Sequence, residues 1–293
     1  MPVPTRFRRP RLVAALAITA AAAVPATAMA ATIDGSPRGE RLVGTNAVDT
    51  IKGNGGNDRI FLRGGDDRGE GGSGKDRIFG ASGKDWIHGG PGNDWLNGGS
   101  GDDTVIGDGN GVGDRRSRDR IYGASGNDEL YGGDAADRVF GGSGNDEVHG
   151  QNGHDRLAGG TGDDVVEGGA GNDVLFANRG VDTLRGGDGD DTLWALARKD
   201  VAPAVNGVPD QVGDTLDGGA GDDTFRTRDG EVDRITCGDG RDRALLDPVD
   251  VITDATAENP NGSCEVVVRA APKASESKGE DAQEAPASED VAS

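Results

Sequence analysis

Between Gly44 and Leu245 the chain repeats a nine-residue pattern with a single aliphatic position per repeat. Glycine is favoured at positions 1, 2 and 4, aspartate at position 6, and Ile, Leu or Val at position 8. The clearest copies are 71–79, 89–97, 141–149 and 168–176. One apolar residue flanked by outward-pointing neighbours predicts a three-residue strand, because side chains alternate along a strand. The pattern therefore predicts short strands, tight turns and a thin aliphatic core.

The aliphatic position separates this pattern from a flexible Gly/Asp linker, which would not need a regular apolar residue. Position 8 is filled, among others, by Ile60, Ile78, Ile87, Leu96, Val105, Ile121, Leu130 and Val139. Some repeats depart from the pattern: Gly69 stands at a position 8, Ala135 at a turn glycine, and 177–179 opens a repeat without glycine. We expect these repeats to hold ions less well.

In this register the repeats resemble the hemolysin-type calcium-binding (RTX) repeat family. The resemblance covers about Gly44 to Leu245. It implies an all-β fold, a right-handed parallel β-roll of roughly ten coils in which two repeats make one coil. It also implies that the turns bind several calcium ions.

The turn residues suit that chemistry. Glycine permits positive φ, so that the backbone turns tightly with its carbonyl groups inward, and calcium takes about 6 to 8 oxygen ligands. Position 6 aspartates of alternate repeats are then the expected carboxylate ligands. One ladder is Asp58, Asp76, Asp94, Asp119, Asp137, Asp155, Asp173 and Asp191. The other is Asp67, Asp85, Asp103, Asp128, Asp146, Asp164 and Asp182, and Asp223 belongs to a later repeat.

The composition agrees with a cation-dependent fold. The 293 residues include 53 glycines, aromatic residues make up 4%, and 52 acidic residues against 31 basic ones give a net charge of -21. Such a charge argues against nucleic acid or an anionic membrane as partner and favours divalent cations. Because a thin core offsets little ordering entropy, we predict that the array is mostly disordered without calcium.

The first thirty residues have the form of a secretory signal. Basic residues precede an apolar run from Leu12 to Val24, and Ala28 to Ala30 ends in a predicted cleavage site. The basic residues are Arg6, Arg8, Arg9 and Arg11. Pro10 and Arg11 favour an ordinary Sec route over a twin-arginine one. We therefore expect a secreted protein that begins near Ala31 and has no further membrane span.

Outside the regular repeats the sequence predicts several connecting and terminal segments. A lead-in occupies 31–43, and insertions fall near 107–118 and 195–213. Cys237 and Cys264 are an even pair in an exported chain, so a disulfide is expected, with 246–269 forming a cap that closes the end of the roll. The segment 270–293 is predicted to be a disordered acidic tail.

The two faces of the predicted roll differ in chemistry. One carries a column of arginines and aromatics, represented by Arg59, Phe61, Arg77, Phe79, Arg138 and Phe140. The other carries Thr50, Lys52, Trp86, His88, Glu129, Tyr131, Glu147 and His149. Stacking and cation–π contacts would let the first column stabilise the sheet. The alternative is a docking strip for a cell-surface glycan, an acidic polymer or a partner protein.

No catalytic apparatus is visible. His88, His149 and His154 lack zinc-protease spacing, no G-x-S-x-G elbow occurs, and acidic pairs such as Asp102-Asp103 are repeat turns. The catalytic domain that often precedes RTX repeats has no room before Gly44. The sequence favours a non-enzymatic, calcium-binding structural or adhesive module over a glycan- or partner-binding module, and over a calcium-dependent hydrolase. An ice-binding surface is disfavoured because Arg and aromatics stand where a flat Thr array is needed.

Overall fold

The computed structural model describes residues 29–108, 117–195 and 213–271. Most of the predicted signal segment, the middle of both insertions and nearly all of the acidic tail fall outside these ranges. The described residues contain strands, turns and connecting coil and no helix, so nothing in them has the form of a membrane-crossing helix. The all-β prediction is confirmed.

The described residues form 24 strands of two to six residues, numbered in chain order. The first twelve are β1 Thr32–Asp34, β2 Arg41–Val43, β3 Thr50–Lys52, β4 Arg59–Gly64, β5 Arg68–Glu70, β6 Arg77–Ser82, β7 Trp86–His88, β8 Trp95–Ser100, β9 Thr104–Ile106, β10 Arg120–Ser125, β11 Glu129–Asp134 and β12 Arg138–Ser143. The others are β13 Glu147–Asn152, β14 Arg156–Thr161, β15 Val165–Ala170, β16 Val174–Arg179, β17 Thr183–Asp188, β18 Thr192–Trp194, β19 Thr215–Ala220, β20 Thr224–Thr227, β21 Arg234–Thr236, β22 Arg243–Leu246, β23 Val251–Ile252 and β24 Val266–Arg269.

These strands form two parallel sheets of 12 strands each in the described part of the chain. The odd-numbered strands make sheet A and the even-numbered strands make sheet B. Each strand pairs with the strand one coil later, as Ile60 pairs with Ile78, 18 residues away. The first insertion lengthens this step to 25 residues, from Leu96 to Ile121, without changing the register. The predicted parallel β-roll is confirmed, and both insertions leave its ladder intact.

The turns require a left-handed backbone, which glycine adopts without steric cost. In the repeat 71–79, Gly72 has φ 95° and Gly74 has φ 137°. Seven residues with side chains also take positive φ, from 71° to 86°: Asn54, Arg63, Ala81, Ala124, Ala135, Gln151 and Asn178. Each of these turns is strained relative to its glycine counterpart.

The core is the predicted stack of position 8 side chains. Ile78, Leu96 and Val139 are completely buried, and the stack continues to Ile252. At the irregular position 8, Gly69, a Cβ would lie 3.1 and 3.2 Å from the methyl carbons of Leu62. Leu62 stands at position 1 of the same repeat and is itself fully buried. Its side chain therefore fills the space that Gly69 leaves in the core.

The ends of the roll differ from the predicted boundaries in one respect. β1 and β2 lie in the lead-in, and β23 and β24 lie in the segment assigned to the cap, so both sheets extend past Gly44 and Leu245. Cys237 and Cys264 form the predicted disulfide, with their Cα atoms 5.2 Å apart. Arg228 and Arg269 donate hydrogen bonds to backbone carbonyl groups of the last coils. The disulfide-closed end is confirmed.

Candidate metal centre

The position 6 aspartates link each coil to the next. The backbone N–H of Asp58 donates to Oδ1 of Asp76 at 2.7 Å, and the N–H of Asp76 donates to Oδ1 of Asp94 at the same distance. The same contact joins Asp67 to Asp85 at 2.9 Å on the opposite edge. Every aspartate predicted from the sequence lies in one of these two ladders. We call them ladder A and ladder B after the sheet whose strands they precede.

Several ladder members were missed by sequence analysis. Ladder A also contains Asp49, Asp214, Asp233 and Asp250, and ladder B also contains Asp242. Asp49 keeps the regular spacing of 18, whereas the steps to the others, of 32, 19 or 17 residues, break it near the second insertion and the C-terminal end. The N–H of Glu40 donates to Asp58, and Glu265 accepts from Asp242. The ladders thus run nearly the full described length.

The second carboxylate oxygen of these aspartates points into the turn. Oδ2 of each sequence-predicted ladder aspartate is buried and has no hydrogen-bond partner. A Cβ placed on Gly71 would lie 2.5 Å from Oδ2 of Asp76 and 2.7 Å from the carbonyl oxygen of Gly89, one coil later. Gly168 has the same relationship to Asp173 and Gly186, at 2.5 Å each. Position 1 glycine therefore leaves a small space that carboxylate and carbonyl oxygens line.

Burial raises the pKa of these carboxyls. The pKa of Asp76 rises to about 6, that of Asp146 to about 7 and those of Asp94 and Asp137 to about 9, mainly through desolvation. The carboxylates of neighbouring coils raise these values further, whereas the backbone N–H bond to Oδ1 lowers them. Asp108, at the first insertion, adds to this repulsion at Asp94 and Asp137. A row of buried carboxylates of this kind favours a bound cation.

The chemistry of the donor set fits calcium. Carboxylate and carbonyl oxygens are the ligands that this hard cation takes, in flexible geometry. Among the described residues no group of three or more His, Cys, Asp or Glu side chains has the arrangement of a metal site. An ion in these turns would therefore draw on at most two carboxylates and take its other ligands from the backbone. That arrangement explains why position 1 and the turn positions are mostly glycine.

Three repeats place a side chain where the others leave this space. Leu62, Ala177 and Ala195 occupy position 1 and are completely buried. Their side chains belong to the hydrophobic core. Weaker ion binding in the repeats that Leu62 and Ala177 open stays a prediction.

A further row of hydrogen bonds, which we call the outer ladder, runs along position 5 on both edges of the roll, and sequence analysis missed it. Oδ1 of Asn127 accepts the N–H of Asn145 at 2.8 Å, and Oδ1 of Asn145 accepts the N–H of Asp163 at 3.1 Å. Nδ1 of His154 accepts the N–H of Asn172 in the same way. Because Asn, Asp and His all serve, no single residue type marks the position. This outer ladder fixes the turns in register without using the inner carboxylates.

The aromatic column of sheet B is a continuous stack. The ring centroids of Phe61 and Phe79 are 4.9 Å apart, those of Phe79 and Trp95 4.8 Å, and those of Tyr122 and Phe140 5.3 Å. The guanidinium of Arg41 lies 4.6 Å from the ring of Phe61. These contacts support the sheet-stabilising interpretation. Sheet A instead carries ion pairs, such as Lys52 with Glu70 and Arg185 with Glu167.

Comparison with known proteins agrees with this geometry. The family pattern of the RTX calcium-binding nonapeptide repeat, in units of four copies, matches residues 34–69, 70–105, 116–148, 149–184, 178–197 and 213–231. No curated protein gives a significant match. The family matches cover more than half of the 293 residues and coincide with the coils that carry the aspartate ladders. The chain belongs to the RTX calcium-binding nonapeptide repeat family.

Proposed function

We propose that the two aspartate ladders bind calcium ions and that this binding drives the folding of the roll. The observation that carries the proposal is the row of buried Oδ2 atoms without hydrogen-bond partners, most of them beside a position 1 glycine. Leaving a buried carboxylate oxygen unpaired is costly, so these atoms call for a cation. The ligand carboxylates are Asp58, Asp76, Asp94, Asp119, Asp137, Asp155, Asp173, Asp191 and Asp223 in ladder B. In ladder A they are Asp67, Asp85, Asp103, Asp128, Asp146, Asp164 and Asp182.

The energetics of the roll support coupling between binding and folding. Each repeat buries one aliphatic side chain, worth about 1.5 to 3 kcal/mol. Ordering nine residues costs about 1 to 2 kcal/mol each in backbone entropy. Parallel hydrogen bonding offsets part of this cost, and the buried carboxylates add to it. Calcium removes the carboxylate repulsion and adds ligand bonds between coils, which favours the folded state.

We propose an extracellular location and a structural or adhesive role. The disulfide between Cys237 and Cys264 is typical of proteins that fold in an oxidising compartment. The predicted signal segment, although outside the described residues, agrees with export. Calcium is abundant outside cells, so a chain that leaves the cell unfolded would fold where it acts. The role as a scaffold follows from the rigid, repetitive shape of a solenoid.

We propose that the module acts without catalysis. The histidines take part in surface contacts: Nδ1 of His149 lies 3.2 Å from Oε2 of Glu167, and His154 belongs to the outer ladder. The buried aspartates are the ligands proposed above, which leaves them no role as an acid–base pair. A calcium-dependent hydrolase is therefore the less favoured candidate.

The test is far-UV circular dichroism of the purified protein during calcium titration, with magnesium as the matched control. Calcium should produce a cooperative gain of β signal from a disordered spectrum. Magnesium should not, because it requires near-octahedral geometry and releases its water reluctantly. A spectrum that is the same in chelator and in calcium would contradict calcium-driven folding.

A further inference from the structure

A groove of about 430 Å³ crosses five strands of sheet B, from β6 to β14. Position 7 side chains form one wall: Arg77, Trp95, Arg120, Arg138 and Arg156. Lys75 and Arg118, at position 5, contribute to the other wall. We call this the basic groove. It concentrates positive charge on a chain whose net charge is -21.

The arginines of the basic groove stand in direct register. Arg120 pairs with Arg138 and Arg138 pairs with Arg156 across the sheet. Their side chains therefore extend from adjacent strands, which lie about 4.8 Å apart. Like charges at neighbouring positions across a sheet are destabilising unless something neutralises them. The pKa of Arg156 is lowered by burial and by the charge of Arg138. Arg138 and Arg156 therefore repel each other in the protein alone.

Among the described residues no acid forms an ion pair with Arg77, Arg138 or Arg156. Nη2 of Arg156 is buried and has no hydrogen-bond partner. Sheet A shows the opposite arrangement, because Glu70 pairs with Lys52 and Arg68 there. The same repeat pattern thus pairs Lys52 and Arg68 with an acid on one face, whereas Arg77, Arg138 and Arg156 have no acidic partner on the other.

Asp76, Asp94, Asp119 and Asp137 of ladder B also line the basic groove, and because position 6 lies between positions 5 and 7 we call them its floor. An ionised carboxylate at this position would offset the charge of the arginines above it. Calcium bound by the ladder would neutralise the carboxylates, and the groove would become strongly positive. A divalent ion inside the roll would therefore create an anion-attracting surface outside it.

Trp95 gives the groove a second chemical feature. It stands between Arg77 and Arg120 in the column, and its ring contacts Phe79 at 4.8 Å and Tyr122 at 5.5 Å between centroids. The ring is held by these neighbours and is half-buried, so part of it faces the groove. An aromatic face beside cations suits a pyranose ring that carries a carboxylate. An acidic peptide would use the cations but would not need the aromatic face.

We propose that the basic groove binds an acidic polysaccharide along the axis of the roll, with carboxylates on Arg77, Arg138 and Arg156 and a sugar ring on Trp95. A linear polyuronate offers one carboxylate per ring, so it presents negative charge along its whole length. The proposal rests on the calcium binding proposed above, which supplies the neutralised floor. Single-stranded nucleic acid is another polyanion, and the test below includes it as a competing ligand.

The test is calorimetric titration of the full chain, in calcium, with a galacturonate oligomer too short to gel. The variant Arg77→Gln/Arg138→Gln changes two exposed side chains without ion pairs, so the roll should still fold. We expect it to bind at least tenfold more weakly than the unchanged protein. The matched control, Arg234→Gln/Arg243→Gln, removes the same charge from exposed arginines outside the groove and should bind within twofold of the unchanged protein. The methyl ester of the oligomer, which lacks the charges, should not bind.

Three results would overturn the proposal: equal binding by the two double variants, binding of the methyl ester, or equally tight binding of polyglutamate or single-stranded DNA. A far-UV spectrum in the same buffer separates this proposal from the previous one. A protein that folds with calcium but does not bind the oligomer contradicts the groove alone. A protein whose spectrum does not change with calcium contradicts calcium-driven folding. The calorimetric titration then tests binding to the groove independently.

Discussion

The backbone N–H of Asp137 donates to Oδ1 of Asp155 at 2.7 Å, while Oδ2 of Asp155 is buried without a hydrogen-bond partner. One carboxylate therefore has two separable tasks. Oδ1 holds two coils in register, and Oδ2 is available to an ion. A substitution that preserves the first task and removes the second should report on the ion alone.

Asp155→Asn is that substitution. The amide keeps an acceptor for the N–H of Asp137 but replaces the charged oxygen with a donor. We expect about a tenfold higher calcium midpoint for folding, equivalent to about 1.4 kcal/mol of calcium-linked stability. The matched control is Asp163→Asn, in the exposed outer ladder, where the amide still accepts the N–H of Val181. Equal effects of the two variants in a calcium titration would contradict the ligand assignment.

Acid should stabilise the calcium-free roll. The pKa of Asp155 is raised to about 7 and that of Asp137 to about 9, chiefly by burial. A carboxyl whose pKa is higher in the folded than in the unfolded state stabilises the fold when it is protonated. This contribution is complete below the unfolded-state pKa, near 3.8, and is lost as pH rises through the folded-state pKa values. In chelator, β signal should therefore be greater at about pH 5 than at about pH 8. In calcium the dependence reverses, because protons compete with the ion. Circular dichroism at both pH values checks the sign, and a calcium-free roll that is more ordered at the higher pH would contradict it.

Leu62 and Gly69 should behave as a coupled pair. Leu62→Gly leaves a cavity beside a residue without a side chain and should cost about 2 to 5 kcal/mol in calcium. Gly69→Ile alone should also destabilise, because its Cβ would be only 3.1 Å from Leu62 and 3.3 Å from Cγ2 of Ile78. The double variant restores the regular repeat and should recover most of the loss. Additive costs in urea unfolding would show that the two residues do not share the space.

Ala81→Gly should stabilise the roll. Ala81 has φ 83°, a conformation that costs a side-chain-bearing residue roughly 1 to 2 kcal/mol. The greater freedom of glycine in the unfolded chain offsets part of the gain, so we expect a net increase of up to about 1 kcal/mol. The control Ala170→Gly, in a strand without positive φ, should lower stability by about 0.5 to 1 kcal/mol. Thermal melts in calcium distinguish the two, and a loss at both sites would contradict the strain argument.

The regular part of the molecule was predictable because the same residue types recur at the same positions of each nine-residue repeat. Ile60 and Ile78 lie in register because both the apolar pattern and the turn chemistry repeat every nine residues. The ladder positions of Asp214 and Asp233 were not predictable, since insertions displace them from the period while the backbone restores the register. The outer ladder was not predicted because Asn145, Asp163 and His154 are different residue types, although each provides a side-chain hydrogen-bond acceptor. The basic groove depends on which side chains find partners, which only the folded structure shows.

In ladders A and B every hydrogen bond from a backbone N–H to Oδ1 points from one coil to the next one along the chain. Each coil supplies acceptors to the coil before it, so removal of coils from the C-terminal side exposes donors that have lost their carboxylates. Removal from the N-terminal side exposes carboxylate oxygens of these two ladders, which water solvates well. The outer ladder runs in the opposite direction, because the N–H of Asn145 donates to Oδ1 of Asn127 in the coil before it. Glu265 ends ladder B by accepting the N–H of Asp242, next to the disulfide at Cys264. At the C-terminal end ladder B therefore needs an acceptor that the repeats do not supply, and Glu265 provides it.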